Sequence, residues 1–239
     1  MRFPRLLLWL LPLLLSCTSP AVEPQPQPNV PAPIIPTGNG GTFLSLGDSY
    51  TIGEGVAETD RWSIQLAQVL RQGGAPVANP EILARTGWTT TDLQNAIVSA
   101  QNQRTYALVS LLIGVNDQYI GERATAYTPR FRQLLQTAIR FAGGRPERVF
   151  VLSIPDWGQS PYGLGRDRAQ ISAAIDEFNS AAQRECGQVG VAFIDITPLT
   201  RAAAGDETQF TPDRLHYSGT QMQKWAATAF PVVKGLLAK

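Results

Sequence analysis

Several kinds of chemistry are excluded by what the sequence lacks. It holds one histidine in 239 residues, His216, so zinc sites built on clustered imidazoles have no ligands. Any step that needs an imidazole must use that ring. Cysteine is nearly absent: Cys17 and Cys186 are the two, too few for a disulfide framework if Cys17 is otherwise engaged. No charge of one sign dominates. The formal net charge is +1, with no acidic or basic block, which argues against a nucleic-acid partner, since phosphates demand concentrated Lys and Arg. There is no internal repeat and no G-x-G-x-x-G frame; Gly53 and Gly55 without a nearby Lys make a weak phosphate cradle. The apolar run Leu6–Leu15 is too short to cross a bilayer comfortably.

What is present begins with three compositional segments. Residues 1–16 read as a secretory signal: Arg2 and Arg5, then the apolar run, then small residues. A buried helix is the other reading, and Pro4, Pro12 and the proline-rich sequence beyond oppose it. Leu14-Leu15-Ser16-Cys17 resembles the bacterial lipobox, which implies cleavage before Cys17 and acylation of its thiol. Two acyl chains suffice for stable anchoring, at about 0.8 kcal/mol per buried methylene. Cleavage there removes two arginines and no acid, turning a formal charge of +1 into −1. Thr18, not Asp, follows the cysteine, which favours the outer membrane over the inner within a bacterial cell envelope. Residues 17–41 carry the lipidated Cys and then seven prolines ending in Thr37-Gly38-Asn39-Gly40-Gly41. They bury little and are expected to form a tether reaching roughly 70 Å at about 3.1 Å per residue.

Residues 42–239 are the expected globular domain; at 44% hydrophobic residues overall the chain can bury a sizeable core. Apolar runs at Thr42–Leu46, Glu81–Ala84, Tyr106–Ile113, Val149–Ile154 and Val191–Ile196 predict strands. Helical patterns at Arg61–Gln72, Asp92–Gln101, Pro129–Ala142, Arg168–Cys186 and Gly219–Leu237 separate them. This alternation predicts an α/β chain, a five-stranded parallel sheet between helix layers; the order expected for it is that of the flavodoxin-like fold type, 2-1-3-4-5. Thr91 with Gln94 and Ser218 with Gln221 fit capping boxes. The second puts His216 in a loop feeding the last helix.

Ligands of such sheets meet the chain just past the carboxyl ends of the strands. Gly47-Asp48-Ser49 follows the first predicted strand. Alone, Ser49 reads as a nucleophile or as a helix cap, since Ser, Asp and Gly all suit a cap. Arg85-Thr86-Gly87-Trp88 follows the second strand and Gly114-Val115-Asn116-Asp117 the third. With those strands adjacent, Ser49, Gly87 and Asn116 face one crevice, supplying a nucleophile and donors for a developing oxyanion. His216 can take the Ser49 proton, and Asp213, three residues earlier, can orient the imidazole. Asp195 is a second candidate for that orienting role. Asp48 reads as a structural hydrogen-bond acceptor beneath Ser49, and Asp117 as a loop carboxylate. Trp157, after the fourth strand, either lines a substrate pocket or covers the core edge. Cys186 reads as a partly buried free thiol.

Taken together, Gly47-Asp48-Ser49-Tyr50, Gly87, Gly114-Val115-Asn116-Asp117 and Asp213-Arg214-Leu215-His216 resemble the four blocks of the SGNH (GDSL) hydrolase superfamily, in family order. The resemblance spans Leu46–His216. It implies a three-layer α/β/α fold and a serine esterase without metal or cofactor. Ser49 would be nucleophile and, through its N–H, an oxyanion donor beside Gly87 and Asn116; Asp213 and His216 would complete the triad. Tyr50 stands where many members have Leu. Arg214 and Tyr217 stand where Gly and Pro are frequent. Tyr50 and Tyr217 are therefore expected to shape substrate access. The implied substrate is a small acyl ester, as for a lysophospholipase or a short- to medium-chain esterase; an acetylated glycan is the alternative. A tethered binding module without turnover is the non-enzymatic reading, opposed by the full set of catalytic side chains.

Overall fold

The apolar runs that lack alternation become the strands of one sheet. In this computed structural model, which describes residues 40–239, the strands are β1 (Phe43–Gly47), β2 (Glu81–Ala84), β3 (Leu108–Leu112), β4 (Val149–Leu152) and β5 (Ala192–Ile194). All pairings are parallel, and the order is β2-β1-β3-β4-β5, the flavodoxin-like order expected. β1, β3 and β4 are buried along their whole length. Strands covered on both faces need apolar side chains at successive positions, which explains the absent alternation. The exception is Ser45 beside Ser110. Both are fully buried, and the Ser110 hydroxyl donates to that of Ser45 at 2.9 Å, so neither polar group is stranded in the core. The predicted signal segment, Cys17 and nearly all of the predicted tether lie outside the described residues. Gly41 already pairs with Val77 and accepts from the Ala78 N–H at 2.9 Å, so ordered pairing starts one residue before the expected Thr42.

Strands end where side chains or other segments take over their backbone groups. Tyr106 N–H donates to Phe141 O and the Tyr127 hydroxyl donates to Ile113 O, trimming β3 at both ends relative to the apolar run. Asn179 takes both the N–H and the carbonyl of Ile154, which stops β4 at Leu152.

The long helices are α2 (Trp62–Gln72), α3 (Thr90–Ala100), α5 (Ala124–Phe141), α6 (Arg168–Val189) and α8 (Gly219–Leu237); α1 (Ser49–Ile52), α4 (Val115–Tyr119) and α7 (Thr197–Ala202) are short. α2 and α8 pack on each other, while α3, α5 and α6 pack in series, giving the two outer layers. Trp62 meets Phe150 edge-on at 6.3 Å within the first layer's core, and Tyr127 lies 4.6 Å from Phe178 in the second. Such aromatic pairs add to area burial by about 1 kcal/mol each.

Three sequence expectations about helix starts need correction. The capping box at α3 is Thr89 with Asp92, each side chain bonding the other's backbone, two residues before the expected Thr91 and Gln94. Asp92 at 2.9 Å from the Thr89 N–H fills the role assigned to Gln94. α8 does start at Gly219, but Ser218 forms no side-chain cap, and Gln221 instead donates to Leu199 O at 2.8 Å. α5 starts at Ala124 rather than Pro129, with the proline inside it. Pro129 sits within two turns of the N-terminus, where one missing N–H disturbs the ladder least.

Candidate active site

Register brings the separate sequence blocks to one level. Gly47 pairs with Ala84 on one side and with Leu112 on the other. The loops carrying Ser49, Gly87 and Asn116 therefore leave three adjacent strands together, at their carboxyl ends. Ser49 is the first residue of α1, capped by Asp48, whose Oδ1 accepts from the Tyr50 N–H at 3.0 Å. Cap and candidate nucleophile are thus different residues. Asp48 is fully buried; desolvation pushes its carboxyl up to about 8, against the Tyr50 hydrogen bond and with help from the Asp117 charge. Its place under Ser49 is structural, as the sequence suggests.

Gly87 is exposed and left-handed, at φ +82°. A Cβ there would touch nothing within 4 Å, so backbone conformation, not space, favours glycine. Asn116 lies one residue into α4. Its Nδ2 donates to Trp88 O at 2.8 Å, which fixes the amide plane and leaves its second N–H for another acceptor. Gly114 makes the turn before it at φ +126°, where a Cβ would lie 2.6 Å from the Tyr127 ring. Asp117 binds the two loops: it accepts from the Thr90 N–H at 2.9 Å and the Thr90 hydroxyl at 2.5 Å, and pairs with Arg130 at 3.2 Å. Burial raises its pKa; those hydrogen bonds oppose the rise.

His216 is buried, and its Nδ1 lies 2.5 Å from Asp213 Oδ2. The other carboxylate oxygen accepts from the Leu215 N–H at 2.9 Å, the His216 N–H at 3.0 Å and the Thr211 hydroxyl at 2.7 Å. Partial burial would raise the Asp213 pKa, but the bonds from His216, Leu215 and Thr211 outweigh it and hold the carboxyl well below the usual range. A neutral imidazole donating from Nδ1 leaves Nε2 as an acceptor. Asp195 accepts from the Ser153 hydroxyl at 2.8 Å and the Thr197 N–H at 3.0 Å, so its carboxylate is used beside β5 instead.

Ser49 and the histidine loop meet through Tyr50. Its ring is 5.3 Å from the imidazole, 5.8 Å from Tyr217 and 6.2 Å from Trp225. Tyr50 and Tyr217 are both buried. Tyr50 packs against the imidazole and Tyr217 packs behind Tyr50, and with their side chains buried neither is exposed to a passing substrate, which corrects the expectation that they shape access. Trp157 is also buried, with Nε1 donating to Gln118 Oε1 at 2.7 Å. It backs the rim rather than lining it, and the rim itself is exposed: Tyr119, Ile120 and Leu164 at 44%, 64% and 60%. The Tyr119 and Tyr162 hydroxyls bond at 2.8 Å, and the Arg166 guanidinium lies over Tyr119, Trp157 and Tyr162. The Tyr162 N–H donates to Arg214 O at 2.9 Å, tying this rim to the Asp213–His216 loop. Arg214 is left-handed at φ +66°.

Sequence reasoning missed Thr211, Arg130 and the carbonyls of Trp88 and Arg214, because such supporting contacts join loops distant in the chain. Only Arg214 left a signal: it is one of the positions where the last block departs from the pattern it resembles. Among the described residues, no three His, Cys, Asp or Glu side chains gather as a metal site needs.

Comparison with known proteins bears on the family and the fold. The sequence model of the GDSL-like lipase/acylhydrolase family matches residues 45–224. Among solved structures, TesA is similar at 19% identity and TM-score 0.63, over 82% of this chain and 99% of that one. The psychrotrophic esterase EstA from Pseudoalteromonas sp. is similar at 15% identity and TM-score 0.63, over 83% and 99%. A mutant of Axe2, an acetyl-xylooligosaccharide esterase from Geobacillus stearothermophilus, is similar at 15% identity and TM-score 0.63, over 82% and 95%. At these identities the likeness is one of fold. No curated protein sequence matches.

Proposed function

Because this chain belongs to the GDSL-like lipase/acylhydrolase family, we propose that it hydrolyses carboxylic esters through an acyl-enzyme on Ser49. The observation that carries the reading is the 2.5 Å bond between the chain's one histidine and Asp213. Ser49 Oγ attacks the acyl carbon while its proton passes to His216 Nε2. Asp213 holds the imidazole's tautomer and stabilises the imidazolium. Negative charge on the carbonyl oxygen is received by the N–H groups of Ser49 and Gly87 and the amide of Asn116. The alcohol departs with the proton from His216. Water then repeats the sequence in reverse, releasing the acid and restoring the Ser49 hydroxyl.

The favoured substrate is a short- to medium-chain acyl ester or a lysophospholipid. The exposed apolar side chains of Ile120 and Leu164 beside the crevice support it. The tyrosine pair Tyr119 and Tyr162 supports a second reading, an O-acetylated sugar, since aromatic faces pack against sugar rings; the fold likeness to an acetyl-xylooligosaccharide esterase points the same way. Turnover of p-nitrophenyl acetate and butyrate should vanish in Ser49→Ala, and unchanged turnover would sink the assignment. A panel of lysophospholipids, acetylated xylo-oligosaccharides and acyl thioesters then ranks the substrates.

The same proposal places the enzyme in a bacterial envelope, held by acyl chains on Cys17. The lipobox resemblance supports this, and no helix among the described residues is long and apolar enough to cross a membrane. Cys17→Ser should move the protein from the detergent phase to the aqueous phase; no change would refute the anchor.

A further inference from the structure

The described body carries no net charge: without Arg2, Arg5 and Glu23, the chain's 20 basic and 19 acidic residues balance. The end of the sheet opposite the crevice, where the strands begin, gathers cations. A hollow of about 360 Å³ there is lined by Gly41, Val77, Ala107, Arg148, Lys234 and Leu237. Arg71 reaches the same end, donating to Val77 O at 2.9 Å, and Arg145 donates to Ala142 O at 3.0 Å just before β4. Arg148 donates to Leu237 O at 3.3 Å. These partners are neutral carbonyls. Among the described residues, no carboxylate lies within ion-pairing distance of Arg71, Arg145, Arg148 or Lys234. Glu147 and Glu81 also lie toward this end, and Glu81 is met by Arg104 at 2.7 Å.

The chain enters the body on this face. Gly41 N–H donates to Pro76 O at 3.2 Å, and a Cβ on Gly40 would lie 2.7 Å from the Pro76 carbonyl. Thirty-nine residues precede that point, including the cysteine proposed to carry lipid.

We propose that this cationic end is a contact face for an anionic phospholipid surface, the bilayer that holds the chain's N-terminus. The inference rests on the anchored reading of Cys17 but not on the esterase reading. Each Lys or Arg near an anionic leaflet gains roughly fivefold in binding. That is too weak for capture from solution, yet attachment makes the contact intramolecular and raises its effective concentration to about the millimolar range. The consequence is orientation: Ser49 and His216 face away from the anchoring bilayer, toward substrates in the surrounding aqueous space. Several of these cations also sit at helix C-termini, where they offset the macrodipole, so stability alone cannot test the idea.

The test uses the full chain on vesicles of phosphatidylcholine with or without phosphatidylglycerol, carrying a fluorophore on an unnatural amino acid in place of Ala57 or Ala238. Ala57 lies on the crevice side and Ala238 on the opposite side, both exposed. Flotation reports the anchor, and energy transfer to labelled headgroups reports the face. At low salt with phosphatidylglycerol, transfer from position 238 should exceed that from position 57. The excess should fall with salt and disappear in Arg145→Gln/Arg148→Gln/Lys234→Gln, whose ester hydrolysis in solution should persist as proof of folding. Flotation with neither vesicle, equal transfer from both positions, or an excess that survives the triple variant would overturn the proposal.

Discussion

Asp213 and Asp48 are two carboxylates of opposite electrostatic fate. Asp213 collects hydrogen bonds on both oxygens, and these outweigh its desolvation. Its native pKa is depressed below an ordinary value of 3.8. Its contribution to stability is therefore present above that value and lost as pH falls below it. Asp213→Asn should lower kcat on the order of 10⁴-fold, because the imidazole loses its acceptor and its tautomer. Its melting-temperature deficit should shrink on acidification below about 4; a deficit independent of pH would contradict the depressed pKa. Asp48 behaves in reverse. Buried, and with its pKa raised from 3.8 to about 8, it keeps a proton that the unfolded chain releases. Stability then falls as pH rises from about 4 to about 8. Asp48→Asn retains the acceptor for Tyr50 and removes the titration, so its melting temperature should gain on the parent's across that range. Parallel curves would show that Asp48 does not carry the proton. Asn116→Ala should reduce kcat roughly 10²–10³-fold with folding intact; a change confined to KM would make it a binding residue only.

At the scale of elements, loops do most of the positioning, and their caps can be tested one at a time. Thr89 and Asp92 close the start of α3, so Thr89→Ala should cost about 1 kcal/mol in denaturant unfolding, while Thr91→Ala, one residue inside the helix start, should cost less. The loop from Thr211 to His216 contains Arg214 in the left-handed region, and its ion pair with Glu207 at 3.1 Å is exposed and worth little. Arg214→Gly should therefore stabilise by roughly 1 kcal/mol through relief of that conformation. A lower melting temperature would show that the arginine side chain offsets its own strain. Element positions were legible in the sequence because parallel strands buried on both faces leave unbroken apolar runs. Boundaries were less so. Asn179 ends β4 from 25 residues away, and nothing within the run Val149–Ile154 announces it.

Across the whole molecule, two layers of helices bury the sheet, and the carboxyl ends of β1, β2 and β3 gather the loops. Cys186 lies inside this core, where burial pushes its thiol up to about 12; it should resist alkylation in the native state and react once the chain unfolds. The amino-acid sequence by itself determined the α/β alternation, the family blocks and the single histidine, because each depends on local composition or short spacing; the strand order was an expectation from fold type, and the structure bears it out. It also offered Asp213 and Asp195 as rivals for the imidazole, and ranked them only by spacing. The tertiary structure decided between them, since Asp195 is held by Ser153 beside β5 while Asp213 Oδ2 meets Nδ1. It likewise buried Tyr50 against the imidazole and Tyr217 behind Tyr50, and gathered Arg71, Arg145, Arg148 and Lys234 at the opposite end. Those outcomes depend on which side chains meet after tens of intervening residues have been packed away, and no local pattern encodes that.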